Sequence, residues 1–146
     1  MGYSEYSEPV SILAAQVPDQ PDAPTTSIEN LDVRISWLAP NFRGYAITRY
    51  VIKIRQSDDV TFTEEPISCD GSDSAVMSAL SCLVPISTLK VTPYSIEWGL
   101  SIWATVTAYN IYGPSVESDA GNGAIILTIP DAPINLANVP EVTLAN

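Results

Sequence analysis

The chain contains no histidine among its 146 residues. Histidine is the most frequent general base in enzymes and the usual partner of a serine or cysteine nucleophile. The only two cysteines, Cys69 and Cys82, cannot complete a tetrahedral zinc site without further ligands. These absences argue against an enzyme, so the sequence predicts no catalytic residue, no metal site and no cofactor.

Positive charge is also scarce. Six Lys and Arg residues stand against 17 Asp and Glu residues, and the net charge is −11. Such a chain is repelled by nucleic acid and by anionic membranes, so neither is an expected partner. No run of about 18 apolar residues occurs, so membrane insertion is not predicted. The start, Met1-Gly2-Tyr3, lacks the basic and apolar regions of a signal peptide.

Apolar residues, in contrast, are plentiful. They make up 46% of the chain against 16% charged residues, which excludes a disordered acidic tail. Twelve prolines among many Val, Ile, Thr and Ser residues favour a β-sandwich with sharp turns.

Residues 101–118 carry the clearest strand pattern. One side of the alternation is Ile102, Ala104, Val106 and Ala108, and the other is Trp103, Thr105, Thr107 and Tyr109. Period-two alternation of β-branched and aromatic residues predicts a half-buried strand. It stops near Asn110, where Gly113-Pro114 supplies a turn.

The spacing of Ala108, Asn110, Gly113 and Ser115 resembles the end of strand F and the F–G loop of a fibronectin type III domain. Trp37 matches the core tryptophan that this family keeps on strand B. The resemblance implies an all-β, immunoglobulin-like sandwich of about seven antiparallel strands.

The same resemblance assigns the remaining strands. Strand B places Leu31, Val33, Ile35 and Trp37 inward, and strand C (residues 47–55) places Tyr50, Ile52 and Ile54 inward and Arg49, Val51, Lys53 and Arg55 outward. Residues 60–67 are expected to form strand C′, and Val84, Ile86 and Leu89 to place strand E over the core.

One position departs from the family pattern. Ile102 stands where the family usually has a tyrosine whose hydroxyl fixes the E–F corner. Two interpretations are open: a neighbour such as Tyr94 replaces that hydrogen bond, or the corner is built differently.

An internal repeat divides the chain. Pro21-Asp22-Ala23-Pro24 recurs as Pro130-Asp131-Ala132-Pro133, 109 positions later, and each copy follows an apolar stretch, residues 10–17 or 124–129. This period is typical of tandem sandwich domains. We predict that residues 1–20 are the C-terminal strand of a preceding repeat, residues 21–130 a complete domain, and residues 131–146 the N-terminal strand of a following repeat. The alternative is that both ends fold back on the central domain as extra strands.

The cysteines bracket a polar loop. In an extracellular-type module an even cysteine count indicates a disulfide, here between Cys69 and Cys82, with free thiols or a metal pair as the alternatives. This loop and the long connection at residues 90–100 resemble the fibronectin-like repeats of large ciliate surface proteins.

Acidic residues cluster between strands C and E. Asp58/Asp59 and Glu64/Glu65 are adjacent pairs whose members point to opposite faces of a strand, so a solvated acidic edge is expected rather than an acid and a base on one substrate. Asp70-Gly71-Ser72-Asp73-Ser74 is interpreted as a turn, with weak calcium binding as the alternative.

Strands C and F neighbour each other in this fold, which predicts a candidate contact face. Its members are Arg49, Lys53, Arg55, Trp103 and Tyr109. Arginine with exposed aromatics is typical of interaction hot spots, whereas ordinary cross-strand pairing is the simpler interpretation.

The resemblance implies a non-enzymatic structural or adhesive repeat of an extended extracellular or cell-surface protein. Its partners would be neighbouring repeats, joined in tandem or assembled head-to-tail into a filament by strand addition from residues 1–20. The alternative is a ligand-binding accessory module that uses the contact face for a protein or a glycan.

Overall fold

A computed structural model describes residues 2–3 and 16–127. The elements in these ranges are β1 (Thr25–Glu29), β2 (Asp32–Ser36), β3 (Arg49–Arg55), β4 (Phe62–Glu64), α1 (Ser74–Ala79), β5 (Ser81–Pro85), α2 (Ile86–Leu89), β6 (Ala104–Asn110) and β7 (Gly113–Pro114). Most of the predicted preceding strand and all of residues 131–146 lie outside the described residues, so the division into repeats stays a prediction. Neither described helix is long or apolar enough to cross a membrane.

The strands form two antiparallel sheets. One has the order β1-β2-β5 and the other β4-β3-β6-β7. A single apolar cluster joins them, with Ile35 and Val84 from the first sheet and Ile52 and Val106 from the second, each at most 1% exposed. The predicted all-β sandwich of about seven strands is therefore confirmed.

β2 shows how alternation produces one layer of this core. Val33, Ile35 and Trp37 are buried, as predicted. Leu31 was expected inward and is 72% exposed, so that prediction is wrong. Asn30 has φ of +57°, and Asn30 and Leu31 form the tight turn between β1 and β2, so Leu31 lies beyond the end of the strand.

β3 and β6 form the longest ladder. Tyr50 faces Ala108 across it and Ile52 faces Val106, so a large side chain stands beside a smaller one. Val51 lies on the outer face as predicted, but it is only 7% exposed.

Strands C′ and E are shorter than predicted. Only residues Phe62–Glu64 pair with β3, and Val60 and Ile67 are 79% and 91% exposed. β5 ends at Pro85, after which Ile86 and Leu89 belong to α2 rather than to a strand. Leu89 still reaches the core because α2 turns its last residue inward.

Residues 115–126, here called the outer strand, follow β7 and run beside β6 with a slipping register. Backbone hydrogen bonds join residue 115 to 108, 118 to 106, 121 to 104 and 124 to 102. Each step after the first inserts one extra residue on the outer strand, which is the definition of a bulge. The hydroxyls of Ser115 and Ser118 accept from the amides of Ala108 and Val106, replacing the backbone carbonyls that a regular ladder would supply.

Candidate functional site

The family-signature residues lie in the core and at one end of the sandwich. Trp37 and Tyr50 pack with their ring centroids 5.3 Å apart. Asn110 is 5% exposed and uses both ends of its amide. Its Oδ1 accepts from the backbone N–H of Tyr112, which shapes the turn before Gly113, a residue with φ of +138° that favours glycine.

The predicted contact face forms on the outer side of β3 and β6. Arg49 stacks on Tyr109, with its guanidinium carbon 3.9 Å from the ring centroid, and Arg55 lies 4.9 Å from the centroid of Trp103. The second guanidinium also contacts the Asp59 carboxylate at 2.9 Å. The structure thus brings the basic and aromatic residues together as pairs.

Lys53, the third cation of this face, is paired as well. Its Nζ lies 2.8 Å from the carboxylate of Glu117, which also accepts from the hydroxyl of Thr105. Partial burial alone raises the pKa of Glu117, but the hydrogen bonds from Lys53 and Thr105 outweigh it, so the pKa lies below its usual value. The three cations therefore have partners within the sheet, which leaves fewer unpaired groups for a ligand.

The cysteine-bounded loop contains a helix that the sequence interpretation missed. Cys69 and Cys82 form a disulfide with their Cα atoms 5.2 Å apart. Between them, Asp73 caps α1 by accepting from the amides of Ala75 and Val76. The signal for this cap was an aspartate directly before Ser-Ala-Val-Met, which favours a helix start over a simple turn.

The acidic residues act as local hydrogen-bond acceptors. Asp70 accepts from Ser72, and Asp58 accepts from the amides of Val60 and Thr61. No group of three potential metal ligands occurs in the described part of the chain. Glu65 was expected on a solvated edge and is instead 3% exposed, which makes that prediction wrong for this residue. Its carboxylate accepts from the amides of Ile67 and Ser68, and these bonds replace those to water.

Tyr94 makes a side-chain-to-backbone hydrogen bond, as does the tyrosine that usually fixes the E–F corner in the family. Its hydroxyl donates to the carbonyl oxygen of Glu64 at 3.0 Å, so it joins the long β5–β6 connection to β4. Burial, followed by the nearby charges of Glu65 and Glu64, raises the pKa of Tyr94 to about 12. Ile102 is fully buried in the core at the position of the missing tyrosine.

One end of the sandwich, the loop pole, consists of the β2–β3 connection and the β6–β7 turn. Residues 16–20 lie against it. The Gln16 amide donates to the carbonyl of Arg43 at 3.3 Å, and the Gln16 carbonyl accepts from Asn110 Nδ2 at 2.7 Å. The Arg43 guanidinium contacts the Asp19 carboxylate at 2.7 Å.

The opposite end, the groove pole, contains an open apolar groove of roughly 710 Å³. Its lining includes Ile28, Leu31, Trp98, Ile125 and Leu127. Lys90 is the cation at this groove, and its Nζ lies 3.5 Å from the centroid of the Trp98 ring. Sequence reasoning missed this groove because it took Leu31 for a core residue and read residues 124–129 only as an apolar strand.

Comparison with known protein families and with curated protein sequences finds no match. Solved structures do match. Domains A168–A170 of titin align at 19% identity over 78% of this chain and 34% of that one, with a TM-score of 0.56. The twitchin kinase region from C. elegans aligns at 18% identity over 77% of this chain and 17% of that one, with a TM-score of 0.55.

One structure of a single domain matches over most of both chains. The sixth fibronectin type III domain of human fibronectin type III domain containing protein 3 aligns at 14% identity over 82% of this chain and 96% of that one, with a TM-score of 0.57. The chain spans about a third or less of the titin and twitchin structures, so the kinase of the twitchin region is not part of the likeness. Together with the two sheets and the buried Trp37, these matches identify the described part of this chain as a fibronectin type III fold.

Proposed function

We propose that this chain is a non-enzymatic structural repeat of an extended extracellular or cell-surface protein, in which such modules follow one another head-to-tail. The observation that carries the proposal is the position of the two ends of the module. Residues 16–20 lie at the loop pole, whereas Leu127 lines the groove pole. β2 runs from one pole to the other, so the chain enters and leaves at opposite ends of the sandwich.

Three further features support an extracellular structural role. The disulfide is of a kind that persists in oxidising compartments. The net charge of −11 makes neighbouring chains repel one another, which opposes side-by-side association. A chain without histidine lacks the commonest general base.

Electron microscopy of the parent protein tests this proposal. If modules are strung end to end, the contour length of single particles rises linearly with the number of copies of this module in the gene. A compact particle whose diameter is independent of the number of copies, or a gene with one copy only, would contradict it. Filaments formed by addition of residues 1–20 to a neighbour would shorten when those residues are deleted.

The second candidate function is a ligand-binding accessory module. It is favoured by Trp103 and Tyr109, which share the outer face of the β3–β6 ladder with Arg49 and Arg55. A glycan array followed by titration with the soluble sugar tests it. Binding should be lost in the double variant Trp103→Ala, Tyr109→Ala while the circular dichroism spectrum is kept, and the absence of any binding by the wild-type chain would dismiss this function.

A further inference from the structure

The groove pole opens where β1 and the outer strand, residues 115–126, part. They stay in contact from Gly121, where a Cβ atom would lie 1.6 Å from the carbonyl oxygen of Pro24, to Ala124, whose amide donates to the hydroxyl of Thr26. Beyond this point Ile28, whose strand partner Val33 is fully buried, remains 43% exposed. Its side chain points toward the core side of the sheet, yet the described residues cover only part of it. The groove is therefore the uncovered end of the hydrophobic core.

Ile125 forms one wall of this groove, and its backbone groups have no partner among the described residues. Its neighbours bond to the sheet, because Ile102 N–H donates to the carbonyl of Ala124 and Ile126 N–H donates to that of Leu100. In an antiparallel ladder the intervening residue turns its own N–H and C=O away from the sheet. The Ile125 amide and carbonyl make no hydrogen bond within the described chain.

The 109-residue period indicates hydrogen-bond partners for the Ile125 amide and carbonyl. It maps Ile125 onto Gln16 and Leu127 onto Pro18. The Gln16 amide and carbonyl are both bonded to the loop pole, through Arg43 and Asn110. Pro18 is buried there, whereas Leu127 is 72% exposed. At the loop pole, residues 16–18 thus occupy a junction. At the groove pole, residues 125–127 are their counterparts one period later, and no loop pole faces them in a single module.

We propose that residues 125–127 and the apolar groove form a rigid joint with the loop pole of the next copy of this module. In this joint the next copy's Asn110 donates to the Ile125 carbonyl, and the Ile125 amide donates to the next copy's Arg43 carbonyl. The inference rests on the proposed tandem arrangement and adds that the modules are locked to one another rather than loosely linked.

The loop pole also carries the apolar surface that the groove requires. Ile111 and Tyr112 directly follow Asn110 in the turn and are 65% and 53% exposed. In the proposed joint these two side chains cover the groove lined by Leu31 and Trp98. Each pole exposes large apolar side chains in a single module, and in the joint the two sets would cover one another.

The test uses the full chain extended by one module, residues 1–129 followed directly by residues 21–146, which keeps the natural period. Hydrogen exchange at the first module's Ile125 amide is compared with the single chain. One added hydrogen bond at that amide should slow its exchange about tenfold. Equal exchange rates in the two proteins would overturn the joint.

One substitution made in two places supplies the matched control. Asn110→Ala in the second module removes the donor to Ile125 and should restore fast exchange at the Ile125 amide, whereas the same change in the first module should not. Equal effects of the two variants would refute the assignment.

A second pair of variants does not touch Asn110. Leu127→Asp in the first module should widen the distribution of particle lengths in small-angle X-ray scattering, and Leu83→Asp, at a residue that is 38% exposed on β5, should not. If Leu127→Asp has no effect, the joint is wrong even when contour lengths of the parent protein still prove a tandem array.

Discussion

At the scale of single residues, burial decides which isoleucines matter. Ile35 is fully buried between the sheets, while Ile67 is 91% exposed just after β4. The two side chains are chemically identical, so any difference in their effect on stability comes from packing alone.

Ile35→Ala is expected to lower the free energy of unfolding by about 2–5 kcal/mol, because it removes buried methyl groups and leaves a cavity. Ile67→Ala should change it by less than about 0.5 kcal/mol. Urea denaturation of both variants measures the difference. Similar losses for both would mean that the core is not where we place it.

Tyr94 predicts a specific loss of stability at alkaline pH. The unfolded tyrosine ionises near pH 10, whereas in the fold its pKa is about 12. Its contribution to stability is therefore present below pH 10 and is lost as the pH rises toward 12. Tyr94→Phe should flatten this decline and cost about 1 kcal/mol at neutral pH through the lost bond to Glu64.

Denaturation midpoints measured between pH 8 and pH 12 test this prediction, because that range includes the pKa of the tyrosine in the unfolded chain and in the fold. Tyr3→Phe is the control, because Tyr3 is 99% exposed. Burial also raises the pKa of Tyr50, so part of the decline should remain in Tyr94→Phe. An unchanged slope in that variant would exclude Tyr94 as its source.

At the scale of elements, α1 is stabilised by its cap and by the disulfide that encloses it. None of its residues is fully buried, and only Val76 and Met77 pack against the core, so packing alone stabilises it weakly. A six-residue helix is also too short to be stable alone. Its existence therefore depends on Asp73 and on the closed loop between Cys69 and Cys82 as well as on the core contact of Val76 and Met77.

Asp73→Ala should destabilise the protein by about 1 kcal/mol, since it leaves the amides of Ala75 and Val76 without an acceptor. Ser74→Ala is the matched control, because Ser74 is exposed and its side chain caps nothing. Thermal unfolding followed by circular dichroism compares the two. Equal melting temperatures would show that the cap is dispensable.

Removing the disulfide should cost more. Cys69 and Cys82 are 13 residues apart, and closing a loop of that length stabilises by about 3 kcal/mol in the chain-entropy treatment. The double variant Cys69→Ala, Cys82→Ala should lose this amount in urea denaturation. Intact mass should rise by two hydrogens when the wild-type protein is reduced, and no rise would mean that the bond does not form in solution.

At the scale of the whole molecule, the core is contained within one module. Every residue of the described hydrophobic cluster lies between Val33 and Ile126. Residues 16–20 add hydrogen bonds and an ion pair at the loop pole but no side chain to this cluster. The joint proposed above concerns how modules connect and not whether each one folds.

Residues 21–130 alone are therefore expected to fold and to unfold in one cooperative transition. Near-ultraviolet circular dichroism and calorimetry on this fragment and on the full chain test the prediction. A fragment with no near-ultraviolet signal would show that the flanking residues complete the core, which is what the alternative interpretation of the repeat requires.

The sequence by itself determined the two-layer β-architecture. Alternation along β2, β3 and β6 is a local property, because a strand turns successive side chains to opposite faces wherever it lies. Val33, Ile52 and Val106 could therefore be assigned to the core without knowing what they touch. Asn110 and Gly113 likewise mark a turn through their own backbone preferences.

Only the tertiary structure decided what happens where strands end. Leu31 and Leu89 have equal hydrophobicity, yet one is exposed at a turn and the other is buried by a helix. Glu65 is 3% exposed although it carries a carboxyl group, and two amides of the following turn supply the hydrogen bonds that its burial requires. Whether a side chain at such a position is covered depends on segments far away in sequence. The groove between Ile28 and Ile125 likewise exists because β1 and the outer strand part at one pole.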